Sequence, residues 1–309
     1  MNNNTIEVSV LVLTYNSALE KLISTVKSVI DQKGVSLEIV ISDDGSKVKS
    51  FNELKDYFNQ THFVDYKIIE NEINRGTVYN YYSGLKMCNG NYVKTISPGD
   101  KLFGENTLKN WITFLKTNNA KWSFSDMICY KKMNNIETPI SVEAHPQNTY
   151  IYKNGTDHNK ILQYLVLNDI GVGASMISER NLQISYCQEI LGKIIFAEDH
   201  IWRLMMFDGI IGAYYPEYTV LYEYGEGVST SQNNIWIERL QKDWQGADSI
   251  IFEREPANRF QKNIQRAMKI VTGKSKIKKM FIKGFVHNKL RKKKRMTIST
   301  WLSEEVKCQ

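Results

Sequence analysis

The chain has 309 residues, which is enough for one large α/β domain with an appendage or for two modest domains. Hydrophobic residues make up 42% of it and charged residues 24%, which are ordinary values for a soluble globular protein. The first five residues lack the layout of a signal peptide, and no apolar run approaches the roughly 20 residues that span a bilayer. We therefore expect a cytoplasmic protein.

The cysteines indicate free thiols. Cys88, Cys129, Cys187 and Cys308 are far apart in the sequence and form no Cys-x-x-Cys pair. This spacing argues against a zinc site and against a disulfide framework. Unpaired thiols in a reducing compartment agree with the expected cytoplasmic location.

The first 130 residues alternate between two kinds of apolar pattern. Short, nearly continuous apolar runs predict five strands, at Val8–Leu13, Leu37–Ile41, Tyr66–Ile69, Tyr92–Ile96 and Trp122–Phe124. Apolar residues at helical spacing predict helices at 19–30, Phe51–Phe58, Val78–Met87 and Glu105–Lys116. Ser17 and Glu20 match a capping box before the first of these helices. The alternation predicts an α/β fold with a mostly parallel, Rossmann-like central sheet flanked by helices.

The periodicity weakens after residue 130, where a loop is expected over 131–152. We predict one domain over 1–235, with a first half at 1–130 and a second half at 131–235. A helical, basic extension is predicted over 236–309. The Gly225–Ser231 segment is interpreted either as a flap that closes over the ligand or as a plain linker.

Polar clusters follow the predicted strands at Asp43–Ser46, Asn74–Gly76 and Ser97–Asp100. Ligands of open α/β sheets bind beyond the carboxyl ends of the strands, so these clusters are expected to line one crevice. A carboxylate at such a strand end can accept a hydrogen bond from a nucleotide base. The alternative for Asp43–Ser46 taken alone is a simple turn between strand and helix.

The ordered set of these motifs, preceded by Thr14-Tyr15-Asn16, resembles family 2 glycosyltransferases of the GT-A fold from bacterial polysaccharide pathways. The resemblance covers roughly the first 100 residues and a later Glu-Asp pair. It implies that 1–235 is a GT-A-like catalytic domain, with a nucleotide-binding half at 1–130 and an acceptor half at 131–235. It implies that Thr14, Tyr15 and Asn16 shape the nucleotide pocket, that Asp44 contacts the base and that Asp43 supports the loop. Asn74, Arg75 and Gly76 match the family's Asn-x-Gly element. An arginine there suits ribose or diphosphate, because its fork pairs with phosphate oxygens.

The resemblance also implies catalytic roles for Glu198 and Asp199, which match the family's acidic pair before a helix. Inverting transfer needs one positioned base that deprotonates the acceptor hydroxyl. We expect Asp199 to be that base and Glu198 to support it. The alternative is an acidic pair favoured only by the helix macrodipole. Trp202 and Gly173 are candidate acceptor contacts, with core packing and a turn as their alternatives.

The acidic loop departs from the family pattern. The resemblance implies Mg²⁺ or Mn²⁺ held by Asp-x-Asp against the donor diphosphate, but these two positions are Ser97 and Gly99 and only the following Asp100 remains. Two hypotheses follow: a weakly required metal held by Asp100, or a diphosphate assisted by protein cations. His200 is a secondary candidate for a diphosphate or metal contact.

The tail carries the positive charge. Residues 270–309 contain twelve Lys or Arg and two Glu, a local charge of +10 against a net charge of +7, so the rest of the chain carries −3. Apolar residues recur at helical spacing among these lysines, which predicts a basic amphipathic helix. We expect segment 274–295 to bind an anionic membrane surface. A nucleic-acid-binding tail and a helix packed on the main domain are the alternatives, and nothing else in the chain suggests nucleic acid.

The expected function is inverting transfer of a sugar from a nucleotide sugar, a UDP sugar by resemblance, to a glycan or lipid-linked glycan hydroxyl. The expected place is the inner face of the cell membrane, in capsule or other cell-surface polysaccharide synthesis. The alternative is a non-catalytic, nucleotide-sugar-binding partner subunit. A dinucleotide-dependent oxidoreductase fits less well, since no Gly-x-Gly-x-x-Gly follows the first strand.

Overall fold

A computed structural model describes residues 5–134, 136–225, 234–273 and 275–290. Its strands are β1 Val8–Thr14, β2 Leu37–Asp43, β3 Tyr66–Glu70, β4 Tyr92–Ile96, β5 Lys101–Leu102, β6 Trp122–Met133, β7 Ile136–Pro139, β8 Met176–Glu179 and β9 Ala213–Glu223. Its α-helices are α1 Leu19–Ile30, α2 Phe51–Gln60, α3 Thr77–Met87, α4 Thr107–Thr117, α5 Tyr150–Asn154, α6 Asp157–Ile161, α7 Arg180–Ile190, α8 His200–Phe207, α9 Asn234–Glu253, α10 Arg259–Thr272 and α11 Lys276–Leu290. A π-helical turn over Leu162–Val166 and a 3₁₀ turn over Gly173–Ser175 complete the list.

The strands form one sheet in the order β3-β2-β1-β4-β8-β6-β9-β5, with β7 paired to β6. The first four neighbours are parallel, as the alternating pattern predicts. The other half is mixed, because β8 runs antiparallel to both β4 and β6 while β9 runs parallel to β6. Every residue of β1 is buried, as in a central strand that is covered by helices on both faces.

Two apolar cores cover the faces of the sheet. Val10 and Val12 of β1 pack with α1, α2 and α4 on one face. Leu11 and Leu13 face the other core, together with α3, α7 and α8. This alternation along β1 follows from the two-residue repeat of a strand.

Three local predictions are wrong. The segment 131–152, predicted as a loop, contains the end of β6, strand β7 and the start of α5. Strand β6 has twelve residues rather than three, because its polar end from Tyr130 to Met133 pairs with the exposed hairpin strand β7 and carries no apolar signal. The predicted capping box also fails. Helix α1 begins at Leu19 after an extended Ala18, and no side chain caps its amide groups.

Helices α9, α10 and α11 pack on the same core as the second face of the sheet. Ala247, Met268 and Leu290 are buried in one apolar cluster with Tyr164 and Trp202. The division at 235/236 stays a prediction, while the described part of 236–309 shares the core of the sheet. Residues 226–231 of the predicted flap, Lys274 and the basic run from Arg291 to Arg295 lie outside the described residues. None of the described helices combines the length and apolar character needed to cross a membrane.

The parallel strands bring the polar clusters to one edge. Thr14 at the end of β1 pairs with Asp43 at the end of β2, and Val12 pairs with Ile96 at the end of β4. The segments that follow these strands therefore lie side by side. This edge carries the candidate site.

Candidate active site

The carboxylate of Asp44 organises the turn that contains Arg75 and Gly76. Its Oδ1 accepts the backbone N–H of Arg75 at 2.9 Å, and its Oδ2 accepts that of Gly76 at 3.0 Å. The amide of Asp44 in turn donates to the carbonyl oxygen of Thr14 at 3.0 Å. Asp44 thus ties together the ends of β1 and β2 and the turn before α3.

Asp43 and Asn16 fix the loop on the other side of Asp44. Asp43 accepts the backbone N–H of Ser46 at 2.9 Å and also its hydroxyl. The Ser46 hydroxyl oxygen accepts the amide N–H of Asn16 at 2.7 Å, and Asn16 Oδ1 accepts that of Lys47 at 2.9 Å. Asn16 has a φ of 49°, a left-handed conformation that asparagine tolerates better than most residues. Asp43 therefore holds the loop after β2 through its hydrogen bonds to Ser46.

The nucleotide pocket predicted around Asp44 has both a buried and an exposed part. Burial raises the pKa of Asp44 above its ordinary value, while the two backbone N–H groups oppose that shift. Each carboxylate oxygen keeps a second lone pair, which leaves acceptor capacity for a base N–H. Tyr15, Asn74 and Arg75 are exposed, and the Arg75 guanidinium lies 3.6 Å from the ring centroid of Tyr79. These exposed side chains surround the buried Asp44 at the place where the nucleotide pocket is predicted.

Asn80 links helix α3 to the end of strand β2, a contact that the sequence does not signal. It is buried on α3, donates to the Ser42 carbonyl at 2.9 Å and accepts the Ser42 hydroxyl at 2.7 Å. Asn71 donates to the same Asn80 oxygen at 3.1 Å. A polar side chain in a helix gives no pattern that marks it as a link to a strand, so only the structure reveals it.

The turn at Gly76 contacts the loop that leads to the acidic pair. The amide of Val78 donates to the carbonyl of Ile195 at 3.0 Å. Gly76 has a φ of 93°, and a Cβ on it would lie 2.4 Å from Cγ2 of Ile195. Glycine is required here both by the backbone conformation and by the close approach.

Glu198 and Asp199 lie at the start of α8, half-buried beside a small cavity. The residues that share this cavity with them are Tyr81, Thr95, Gly173, Met176, Gln183, Ile201 and Trp202. A Cβ on Gly173 would lie 3.2 Å from Cβ of Asp199, so the predicted acceptor residue directly borders the predicted base. The Asp199 side chain makes no capping hydrogen bond to α8. An Asp retained only to stabilise a helix often caps it with its side chain, and the absence of this hydrogen bond argues against the macrodipole alternative.

The two carboxyl groups titrate as a pair. Burial is the main cause that raises the pKa of each, and the neighbouring Asp199 charge raises that of Glu198 further. The charge of Arg203 lowers the pKa of Asp199 and so opposes the effect of burial there. Within the pair, the charge of Arg203 therefore favours the ionised form of Asp199, whereas burial and the neighbouring charge both favour the protonated form of Glu198.

Arg203 is held beside this pair by helix α9. It is 1% exposed, its Nη2 lies 2.6 Å from Oδ1 of Asp248, and its guanidinium carbon lies 4.5 Å from the Trp244 ring centroid. Its Nε and Nη1 have no hydrogen-bond partner among the described residues. A charged group this deeply buried is retained only with compensating partners, which here come from α9.

His200 and Trp202 both pack inside the protein. His200 lies edge-on to Trp244 at 4.8 Å between ring centroids, and burial lowers its pKa so that the ring is neutral. This placement favours packing over the diphosphate or metal contact predicted for it. Trp202 stacks on Trp122 at 5.1 Å and also lines the cavity. It therefore forms a buried wall of the cavity that Glu198 and Asp199 also line.

The loop after β4 does not fit a divalent metal ion. Gly99 has a φ of 101°, and a Cβ on it would lie 2.0 Å from Oε2 of Glu223, so the space of a side chain at this position is filled from β9. Oδ1 of Asp100 accepts the backbone N–H of Glu223 at 2.9 Å, and burial raises the pKa of Asp100 to about 7. Within the described ranges, no group of three metal-ligating side chains comes together. Ser97 and Gly99 supply no carboxylate, and Asp100 is used within the protein.

Lys21 places a cation at the same loop. Its Nζ lies 2.8 Å from Oε2 of Glu223, and one helical turn further along α1 Thr25 accepts the amide of Gly99 at 3.0 Å. The Thr25 hydroxyl donates to the carbonyl of Asp100 at 2.7 Å. One face of α1 is therefore docked on the loop, and the Lys21 ammonium group pairs with Glu223 beside it.

Comparison with known proteins assigns the family. The sequence model described as "Glycosyl transferase family 2" matches residues 9–179, a span that ends before the Glu198–Asp199 pair. The chain is 25% identical over 240 residues to an "Uncharacterized glycosyltransferase" of Haemophilus influenzae, which covers 76% of this chain and 71% of the relative.

Solved structures share the fold. The S. aureus TarS 1–349 complex with UDP-GlcNAc matches with a TM-score of 0.55 at 16% identity, over 92% of this chain and 80% of that chain. The chain spans only 44% of the longer TarS chain, with a TM-score of 0.54 at 16% identity over 87% of this chain. The mannosyltransferase PcManGT of Pyrobaculum calidifontis, in complex with GDP-Man and Mn²⁺, matches with a TM-score of 0.60 at 15% identity, over 93% of this chain and 75% of that chain. The chain therefore belongs to glycosyl transferase family 2 and has the GT-A-like α/β fold.

Proposed function

We propose that this protein transfers a sugar from a nucleotide sugar, a UDP sugar in the first instance, to a hydroxyl of a glycan or lipid-linked glycan, with inversion at the anomeric carbon. The observation that carries the proposal is the Glu198–Asp199 pair at a cavity that is shared with Gly173 and Trp202, where the charge of Arg203 lowers the pKa of Asp199 against the effect of burial. TarS structures with UDP and UDP-GlcNAc support the choice of a UDP sugar as the first donor class to test.

The residues fit a single displacement. Asp199 takes the proton of the acceptor hydroxyl while that oxygen forms a bond to the anomeric carbon. The bond from that carbon to the nucleotide diphosphate breaks on the opposite face, and the diphosphate leaves with the electron pair. Glu198 keeps its proton, so that Asp199 is the one negatively charged carboxylate of the pair. The Asp44–Gly76 turn holds the donor in place for this in-line geometry.

A transfer assay tests this function. The purified protein is incubated with each of a panel of UDP and GDP sugars, with and without glycan acceptors, and release of the nucleoside diphosphate is measured. We expect release that depends on the acceptor, and NMR of the product is expected to show an anomeric configuration opposite to that of the donor. Retention of configuration contradicts the proposed displacement. Nucleotide binding without acceptor-dependent release by any donor supports a non-catalytic binding subunit instead.

Helix α11 supports a place on an anionic membrane. Four of its apolar side chains, at Ile277, Met280, Phe281 and Phe285, are between 68% and 72% exposed. Val286 and Leu290 on its other side are buried in the core, so the helix is docked and still presents an apolar surface. The sequence from 276 to 290 has five lysines and no Asp or Glu. An apolar stripe with a basic surround suits the interface of an anionic bilayer.

This membrane contact fits a lipid-linked acceptor and gives the protein a peripheral place on the inner face of the cell membrane, in cell-surface polysaccharide synthesis. Cosedimentation of the full chain with vesicles of phosphatidylglycerol and of phosphatidylcholine tests it. We expect binding to the anionic vesicles, and a clear loss of binding in the Phe281→Ser/Phe285→Ser double variant. Ile235→Ser/Ile237→Ser, which removes two exposed apolar groups of α9, is the matched control. Binding that the Phe281/Phe285 variant leaves unchanged contradicts the assignment.

A further inference from the structure

Asp243 of α9 binds the loop that leads into the acidic pair. Its Oδ1 accepts the backbone N–H of Ile195 at 3.1 Å, and its Oδ2 accepts those of Phe196 at 2.7 Å and Ala197 at 3.0 Å. Three consecutive amide groups thus converge on one buried carboxylate. Glu198 and Asp199 follow directly in the chain, so the carboxylate fixes the backbone from which both project.

The same loop contacts the donor turn. The Ile195 carbonyl accepts the amide N–H of Val78 at 3.0 Å, and the Ile195 side chain fills the space that a Cβ on Gly76 would take. Gly76 is held in turn by Asp44 at 3.0 Å. Loop 195–197 therefore lies between the residues proposed to bind the donor and the residues proposed to take the acceptor proton.

We propose that Asp243 is a positioning residue for the transfer reaction, which sets loop 195–197 so that Asp199 and the donor turn face one another in the geometry of attack. The proposal rests on the function proposed above and extends it to a helix that lies beyond the span matched by the family. A carboxylate that accepts several backbone N–H groups makes charge-assisted hydrogen bonds, which hold a loop more firmly than neutral acceptors do.

The charge of Asp243 also acts on the pair. It raises the pKa of Glu198 and of Asp199, in addition to the larger effect of burial. The other charged groups around the pair are Arg203 from α8, which lowers the pKa of Asp199, and Asp248, which pairs with Arg203. Removal of the Asp243 charge must therefore lower the pKa of the base, and the acid limb of the kcat/KM profile must move to lower pH. A residue that only stabilises the fold has no such signature.

The test compares Asp243→Asn with wild type in the full chain. We expect kcat to fall at least about tenfold, the affinity for UDP to change less than kcat, and the acid limb to move to lower pH. Glu238→Gln, an exposed acid on the same helix, is the matched control and is expected to change none of these. A variant with unchanged kcat, or with reduced kcat and an unmoved acid limb, overturns the proposal.

Hydrogen exchange on the wild-type protein keeps the proposal testable if the variant does not fold. The amides of Phe196 and Ala197 are expected to exchange slowly, and UDP is expected to slow them further through the Ile195 contact with the donor turn. Fast exchange of both amides in free and UDP-bound protein contradicts the proposal. A wild-type protein that binds no nucleoside diphosphate contradicts the proposed function itself, whereas UDP binding with fast-exchanging amides removes only the role of Asp243.

Discussion

Oδ2 of Asp44 lies 3.0 Å from the amide nitrogen of Gly76, and this hydrogen bond joins the end of β2 to the turn before α3. The two residues belong to separate sequence motifs that are 32 positions apart, and the hydrogen bond shows that the two motifs meet in the folded protein. The backbone N–H groups of Arg75 and Gly76 hold the buried carboxylate of Asp44. We expect the same carboxylate to bind the base of the nucleotide sugar.

Replacement of Asp44 tests this role. Asp44→Asn turns an amide NH₂ towards one of the two backbone donors, so one of the two hydrogen bonds is lost. We expect UDP affinity measured by calorimetry to fall about tenfold or more, with a loss of about 1–3 kcal/mol in the free energy of unfolding. Asp56→Asn, on an exposed position of α2, is the control. UDP affinity equal to that of wild type contradicts the assignment of Asp44 to the nucleotide pocket.

Gly76→Ala tests the close approach of the two loops. The new Cβ meets Ile195 and the φ of 93° strains any side chain. Gly192 has a φ of 79° with nothing within 4 Å of its Cβ, so Gly192→Ala measures the strain alone. We expect Gly192→Ala to cost about 1 kcal/mol in the free energy of unfolding, and Gly76→Ala to cost distinctly more and to weaken UDP binding. Equal costs in urea unfolding contradict the contact with Ile195.

The pH dependence of transfer tests the electrostatics of the base. Asp199 acts when ionised, so kcat/KM is lost as the pH falls through its pKa, which burial raises above the ordinary value of about 3.9. Arg203 lowers that pKa, so Arg203→Met must move the acid limb to higher pH, opposite to the shift expected for Asp243→Asn. Arg254→Met removes another ion-paired arginine, one that pairs with Glu189 and Asp208, and is expected to leave the limb in place. A limb that stays fixed or moves to lower pH in Arg203→Met contradicts the account.

Metal removal tests the loop after β4. Glu223 fills the space at Gly99 and pairs with the ammonium group of Lys21 from α1, so this carboxylate already has a cation as its partner. We expect UDP affinity in EDTA to lie within about twofold of that in Mn²⁺, and Lys21→Met to weaken UDP binding in both buffers. Lys27→Met on the same helix is the control. A large gain in affinity with Mn²⁺ that disappears in Glu223→Gln shows instead that Glu223 holds a metal.

The parallel half of the sheet could be predicted from the sequence. The parallel strands β1 to β4 are continuous apolar runs, and the polar residues at their ends are brought to one edge by the topology of such sheets. Strand β6 was predicted too short in part because its last four residues pair with the exposed hairpin strand β7, and the last three of them are exposed. Exposed strand residues show no apolar repeat in the sequence.

The sequence predicted only those candidate site residues that stand in short motifs. Asp44, Gly76, Glu198 and Asp199 stand in short patterns that mark them, and the contact of Gly76 with Ile195 brings the donor turn next to the loop that leads to Glu198. Asp243, Arg203 and Glu223 act through contacts with residues far away in the sequence or inside a helix, and their positions show no local pattern. Their roles appear only once α9 packs on the core and β9 pairs within the sheet.

The central claim is that Asp199 is the base of the transfer reaction, and the initial rate of Asp199→Asn tests it most directly. The substitution keeps the size of the side chain and removes its ability to take a proton. With the donor and acceptor identified by the panel, we expect the variant to bind UDP within about twofold of wild type and to transfer sugar at least about 100-fold more slowly. Glu189→Gln, a surface acid on α7, is expected to retain the wild-type rate. Transfer by Asp199→Asn at a rate near that of wild type contradicts the account.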